Sequence, residues 1–158
     1  QETPNTQTCS FKYNDGTLLE FETRGRYTNH EGYKGVEVGN IFYGSEGYLE
    51  ISGDTWRAFR RREKDPFATS KELIVEQDAN HYANFLEAIR SGKNENLHGD
   101  IKEGVLSSDL AHLANISYLV DRSLKFDGTA EKFINAPEAD ALLTRKEYRK
   151  PYVVPGDV

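Results

Sequence analysis

Arg24, Tyr27, Asn29 and His30 sit in or beside a glycine-rich stretch, Gly25 to Asn40, which also carries Gly32, Gly35, Gly39, Tyr33 and Lys34. Guanidinium, amide and imidazole groups interleaved with aromatic rings suit a sugar. Its hydroxyls want hydrogen bonds and its ring faces stack on aromatics. Long glycine-rich connections in compact domains often carry function. A plain hairpin loop is the other reading, and the residues leave both open. Arg24, Tyr27, Asn29 and His30 are the candidate substrate-binding residues.

Other chemistries find less support. Asp109 and His112 lie three apart on a predicted helix and could share a face as a metal or acid/base pair. No third ligand is evident, so a surface or interface hydrogen bond is the favoured reading. The remaining histidines, His30, His81 and His98, form no H-E-x-x-H pattern, and His81 reads as a packed or capping residue. Cys9 falls on the apolar side of a strand and reads as an inert thiol. Ser107 and Ser108 sit in a helix, where serine usually bonds back to the backbone. Arg57, Arg60, Arg61, Arg62 and Lys64 form a basic run whose charges a strand would divide between two faces. An edge protected by charge, or salt bridging to the acidic remainder, explains it better than nucleic acid. None of the 13 glycines forms G-x-G-x-x-G or a P-loop. No cofactor-binding residue is therefore assigned in this chain, nor any metal ligand or catalytic residue.

These groups must be held by elements that change character midway. Thr8 to Tyr13 alternates, Asn14-Asp15-Gly16 signals a turn, and Leu19 to Thr23 alternates again. Ile41–Tyr43 and Tyr48–Ile51 flank a second turn at Gly44-Ser45-Glu46-Gly47. Trp56 to Arg62 and Leu73 to Val75 read as further strands. From Asp78, a predicted cap, the period becomes helical, with Tyr82, Phe85, Leu86 and Ile89 on one stripe and Gly92 as the stop. Asp100 and Glu103 resemble a capping box for a long helix to about Arg122. Its stripe of Leu106, Leu110, Leu113, Ser117 and Val120, widened by Val105, Ile116 and Leu119, predicts that it is half buried or better. Leu124 to Phe126 is expected at the sheet edge, a short helix from Asn135 and Pro137 to Leu143, and an extended arm from Tyr148 to Val158. Strands first and helices later is α+β grammar. The expected architecture is one open, mainly antiparallel sheet with helices packed on one face.

The 158 residues suit a single domain, 1–158. A net charge of −6 argues against nucleic acid as a partner. No apolar run approaches the length of a transmembrane helix, so no membrane partner is expected. One cysteine excludes a disulfide framework and a cysteine-cluster zinc site. No methionine occurs, which points to a fragment of something longer.

Four blocks in order then carry a resemblance. Gly39-Asn40-Ile41-Phe42-Tyr43-Gly44-Ser45-Glu46-Gly47-Tyr48 resembles the central hairpin of Gfo/Idh/MocA-family oxidoreductases, the relatives of glucose–fructose oxidoreductase and inositol dehydrogenase. His81-Tyr82-Ala83-Asn84-Phe85 with Ile89-Arg90-Ser91-Gly92 resembles the helix after their sheet. Glu103-Gly104 through Ser107-Ser108 to His112-Leu113-Ala114-Asn115-Ile116-Ser117-Tyr118 resembles their long late helix. Glu138 to Arg145 and Tyr148 to Val154 resemble their closing segment. The resemblance is to the C-terminal domain of the bacterial type. One departure is Val105, where members often carry histidine.

The resemblance implies a two-domain parent acting on a sugar, cyclitol or related polyol. Its N-terminal Rossmann domain, missing here, would bind NAD or NADP and carry a Glu-Lys-Pro motif with the catalytic lysine. An Asp and His pair usually lies near the start of the second domain. None of these has a matching position in this chain, so the chain alone is expected to be inactive. It would supply pocket wall for a sugar-like small molecule and homo-oligomer contacts through the open sheet face. Some relatives cleave glycosides by the same hydride step, and some are exported, so outcome and compartment (bacterial cytoplasm or periplasm) stay open. The alternative is a free-standing carbohydrate-binding or oligomerisation module without catalysis.

Overall fold

The computed structural model describes residues 4–25, 36, 38–53, 55–70 and 76–152, with the backbone alone at 76–79. The fold class is α+β, with antiparallel sheets and three α-helices among the described residues. The chain divides into two units, Pro4–Asp100 and Ile101–Val158.

In the first unit, β1 (Thr6–Lys12) pairs with β2 (Leu18–Arg24), Cys9 facing Phe21. The turn follows from its residues. Tyr13 N donates to Thr17 O at 2.9 Å, closing a loop of Asn14, Asp15 and Gly16. Gly16 takes φ +89°, which a Cβ would resist. The Asp15 carboxylate accepts from Thr17 N at 2.8 Å, and that bond holds its pKa below the usual range.

A separate four-stranded sheet follows in the order β3 (Gly39–Tyr43), β4 (Gly47–Ser52), β5 (Thr55–Arg60), β6 (Ala68–Thr69). Gly44, Ser45 and Glu46 join β3 to β4 in a tight turn, with Gly44 N bonded to Gly47 O at 2.8 Å. The predicted strand at Leu73 to Val75 lies outside the described residues.

Helix α1 (Glu76–Ser91) ends as expected, with Gly92 at φ +67° and its N–H on Ala88 O at 2.9 Å. Asp78 lies inside this helix, not at its cap, and His81 is exposed. Asn84 clamps the short 3-10 turn Asn94–Asn96: its Nδ2 donates to Asn96 O at 2.7 Å, and its Oδ1 accepts from His98 N at 2.9 Å.

In the second unit, α2 (Ile101–Leu119) stops at Asp121, which takes φ +54°. Arg122 N reaches Ser117 O at 3.3 Å and Ser117 Oγ donates to Arg122 O at 2.9 Å, a Schellman-type end. The expected half-burial holds only in the C-terminal half of α2. Ala114 and Ile116 are buried there, whereas Leu106 is 63% exposed. An apolar stripe reports where a helix could bury surface, not how far along it a partner extends.

Residues Leu124 to Phe126 do not join the four-stranded sheet. Instead β7 (Phe126–Asp127) pairs with β8 (Lys132–Phe133) in a hairpin of its own. Two residues cannot extend a ladder far, and Phe126 finds Phe133 at 5.1 Å, edge to face. A short helix, α3 (Pro137–Asp140), follows. Ile116, Phe133, Ala136 and Ala139 form the buried cluster, with Leu113, Val120, Leu124 and Phe126 packed around it.

Candidate functional site

The four-stranded sheet carries the most unusual constellation among the described residues. Register fixes which side chains share a face. Ile41, Glu50, Arg57 and Thr69 form one cross-strand row, and Tyr43, Tyr48 and Phe59 form the next on the same face. Tyr48 stacks on Phe59 with centroids 4.7 Å apart and planes 9° apart, and Tyr43 lies 6.1 Å from Tyr48. Phe59 is buried, whereas Tyr43 at the strand end is exposed.

Glu50 is the one buried charged residue among those described, at 3% exposure. Arg57 Nη2 stands 2.7 Å from its Oε2. The contact meets the distance of an ion pair but not the angles of a hydrogen bond, which leaves Oε2 without a hydrogen-bonded donor. The close cation is what makes burial of this carboxylate tolerable. Arg57 keeps about half of its side chain in solvent and lies 5.8 Å from the Phe59 ring centre. The result is an aromatic row, buried at Phe59 and exposed at Tyr43, beside a half-open guanidinium. Such a surface can stack a ring and donate to an oxygen.

Sequence reasoning missed this pair. Glu50 gives no signal alone; only the tight turn after Ser52, which pairs Ser52 with Thr55, brings Glu50 opposite Arg57. The predicted division of the basic run is found: Arg57 and Arg60 occupy opposite faces of β5.

Of the four candidate substrate-binding residues, Arg24 is placed. It ends β2, half exposed, with its Nε 2.7 Å from Glu22 Oε1 on the same face. Tyr27, Asn29 and His30 lie outside the described residues. Asp109 and His112 make no hydrogen bond to each other, and no three potential metal ligands cluster among the described residues. Ser107 and Ser108 donate to Glu103 O and Gly104 O, as helix serines do. Cys9 is partly buried, and burial raises its pKa, against a nucleophilic role.

A dinucleotide cradle needs a parallel strand–helix–strand unit with a glycine-rich first turn. Every described strand pair is antiparallel, so the described residues do not form such a unit.

No curated protein and no solved structure matches the chain. A family does: residues 20–154 of 158 match the Gfo/Idh/MocA oxidoreductase family, described as "Oxidoreductase family, C-terminal alpha/beta domain". That span covers the central hairpin, both long helices and the closing segment, and the chain belongs to the Gfo/Idh/MocA oxidoreductase family as its C-terminal domain.

Proposed function

We propose that this domain serves an NAD(P)-dependent oxidoreductase acting on a sugar, cyclitol or related polyol. The observation that carries the reading is the family match over residues 20–154. The nicotinamide would supply the redox chemistry from a separate domain. This chain would line the substrate pocket and provide contacts between subunits. The exposed ring of Tyr43, beside half-buried Tyr48, supports a polyol ligand, because sugar ring faces stack on aromatics. Exposed Phe42 at the edge of the sheet supports a role in assembly.

The test uses the full-length native polypeptide. It is mixed with NAD+ or NADP+ and a panel of aldoses, cyclitols and sugar acids, and nicotinamide reduction is followed by absorbance. Sugar-dependent reduction with one nucleotide supports the reading. A folded protein that reduces neither nucleotide with any member refutes the substrate class. A native polypeptide with no nucleotide-binding domain refutes the enzyme reading and leaves the carbohydrate-binding or oligomerisation module.

A further inference from the structure

The end of the sheet where two turns meet holds a second feature, independent of the pocket wall. The Ser45-Glu46 loop and the connection after β5 lie side by side, joined by Arg61 N on Glu46 O at 3.1 Å. Together they form an open hollow of about 660 Å³, lined by Glu46, Arg60, Arg61, Arg62 and Glu63.

Three consecutive arginines in a chain of net charge −6 call for an explanation. Each is presented differently. Arg60 pairs across the ladder with Gly47, which has no side chain to shield it. Its guanidinium lies 4.9 Å over the Phe67 ring, a cation–π contact. Arg61 takes φ +37°, the left-handed region that a long side chain seldom enters. It is held there by its own N–H and by Glu46 Oε2, 3.4 Å from Nη2. Arg62 has no side-chain partner among the described residues and lines the same hollow.

We propose that this hollow binds the tetrahedral oxyanion of a phosphate or sulfate group. Planar guanidinium forks meet such oxygens two at a time, and a dianion outcompetes a carboxylate for them. The local acids set how binding proceeds. Glu46, Glu63 and Asp65 oppose Arg60, Arg61, Arg62 and Lys64, so the turn is nearly balanced before a ligand arrives. The Arg61–Glu46 pair is exposed on both sides and weakly held. The anion displaces Glu46 from Arg61 and completes its coordination on Arg60 and Arg62.

Arginine modification by phenylglyoxal, read residue by residue by peptide mass spectrometry on the full-length polypeptide, tests this. The probes are inorganic phosphate, sulfate, glucose 6-phosphate and glucose, each against chloride at equal ionic strength. Phosphate at about 10 mM should slow modification of Arg60, Arg61 and Arg62 by about fivefold or more, with Arg90 and Arg145 unchanged. Glu46→Gln should lower the phosphate needed by about twofold. Protection by the monoester at about tenfold lower concentration assigns the site to phosphorylated small molecules; equal protection by free phosphate and sulfate assigns it to the inorganic ion. Equal slowing at all arginines, or none at Arg60 and Arg62, overturns the proposal. So does full protection retained at Arg61 in the Arg60→Gln, Arg62→Gln variant, provided circular dichroism shows its fold unchanged.

Discussion

Replacing Arg57 by methionine should cost more stability than a half-exposed residue usually does. Methionine keeps an apolar stem but removes the guanidinium 2.7 Å from Glu50 Oε2. The Glu50 side chain is 4% exposed, so the carboxylate left behind has almost no water to turn to. Breaking a buried pair from one side costs about 3–5 kcal/mol. Arg57 retains 47% exposure, so solvent already screens part of the attraction. The expected loss is therefore smaller, about 2 kcal/mol, or a fall of roughly 4–8 °C in melting temperature. Removing both charges, Glu50→Leu with Arg57→Met, leaves no orphan and should return stability to within about 1 kcal/mol of the parent. Urea unfolding reads this locally, because the one tryptophan, Trp56, is the neighbour of Arg57 in β5. The reasoning is refuted if Arg57→Met stays within about 0.5 kcal/mol of the parent. A double variant less stable than the single one refutes it as well.

Two further outcomes are expected. Asp140 Oδ1 accepts from the N–H of buried Phe133 at 2.7 Å, so Asp140→Ala should destabilise the second unit by about 1–3 kcal/mol, with Asp140→Asn closer to the parent; hydrogen exchange at the Phe133 amide would show no change if the bond were idle. Asp127 is held below its usual pKa by the N–H groups of Ala130 and Thr129, and Glu138 by its hydrogen bond with Arg122. Lowered carboxyl pKa values favour the folded state above the unfolded value, near 4, and that contribution is lost as pH falls through the folded value. Urea midpoints should therefore drop below about pH 4, and Asp127→Asn should flatten that acid limb; an unchanged slope would count against it.

Local chemistry was the legible part of the sequence. Asn14-Asp15-Gly16 and Gly92 each announce a backbone conformation that few other residues accept, and the chain turns or stops there; Gly47 flanks a second turn where a side chain would run into Phe59 O. Pairing beyond neighbours was not legible. Nothing in Leu124 to Phe126 says that its partner is Lys132–Phe133, because a run that short fits any ladder edge. The stripe on α2 reads the same along its length, yet only its C-terminal half meets Phe133, Ala136 and Ala139. The site was harder still. A glutamate inside Tyr48-Leu49-Glu50-Ile51 looks like an interruption of an apolar strand until register supplies Arg57. Of the four substrate-facing candidates, Arg24 alone has a described position, at the end of an antiparallel pair.

The fastening of the second unit has a kinetic consequence. Its ties join residues close in sequence: Ser117 to Arg122, Phe133 to Asp140, Arg122 to Glu138 at a separation of 16. Short separations cost little loop-closure entropy, and topologies built from them form quickly. This cluster should therefore order early in refolding. It would offer the preceding half of α2 a nucleus to lengthen from, since helix growth is easy once a first turn exists.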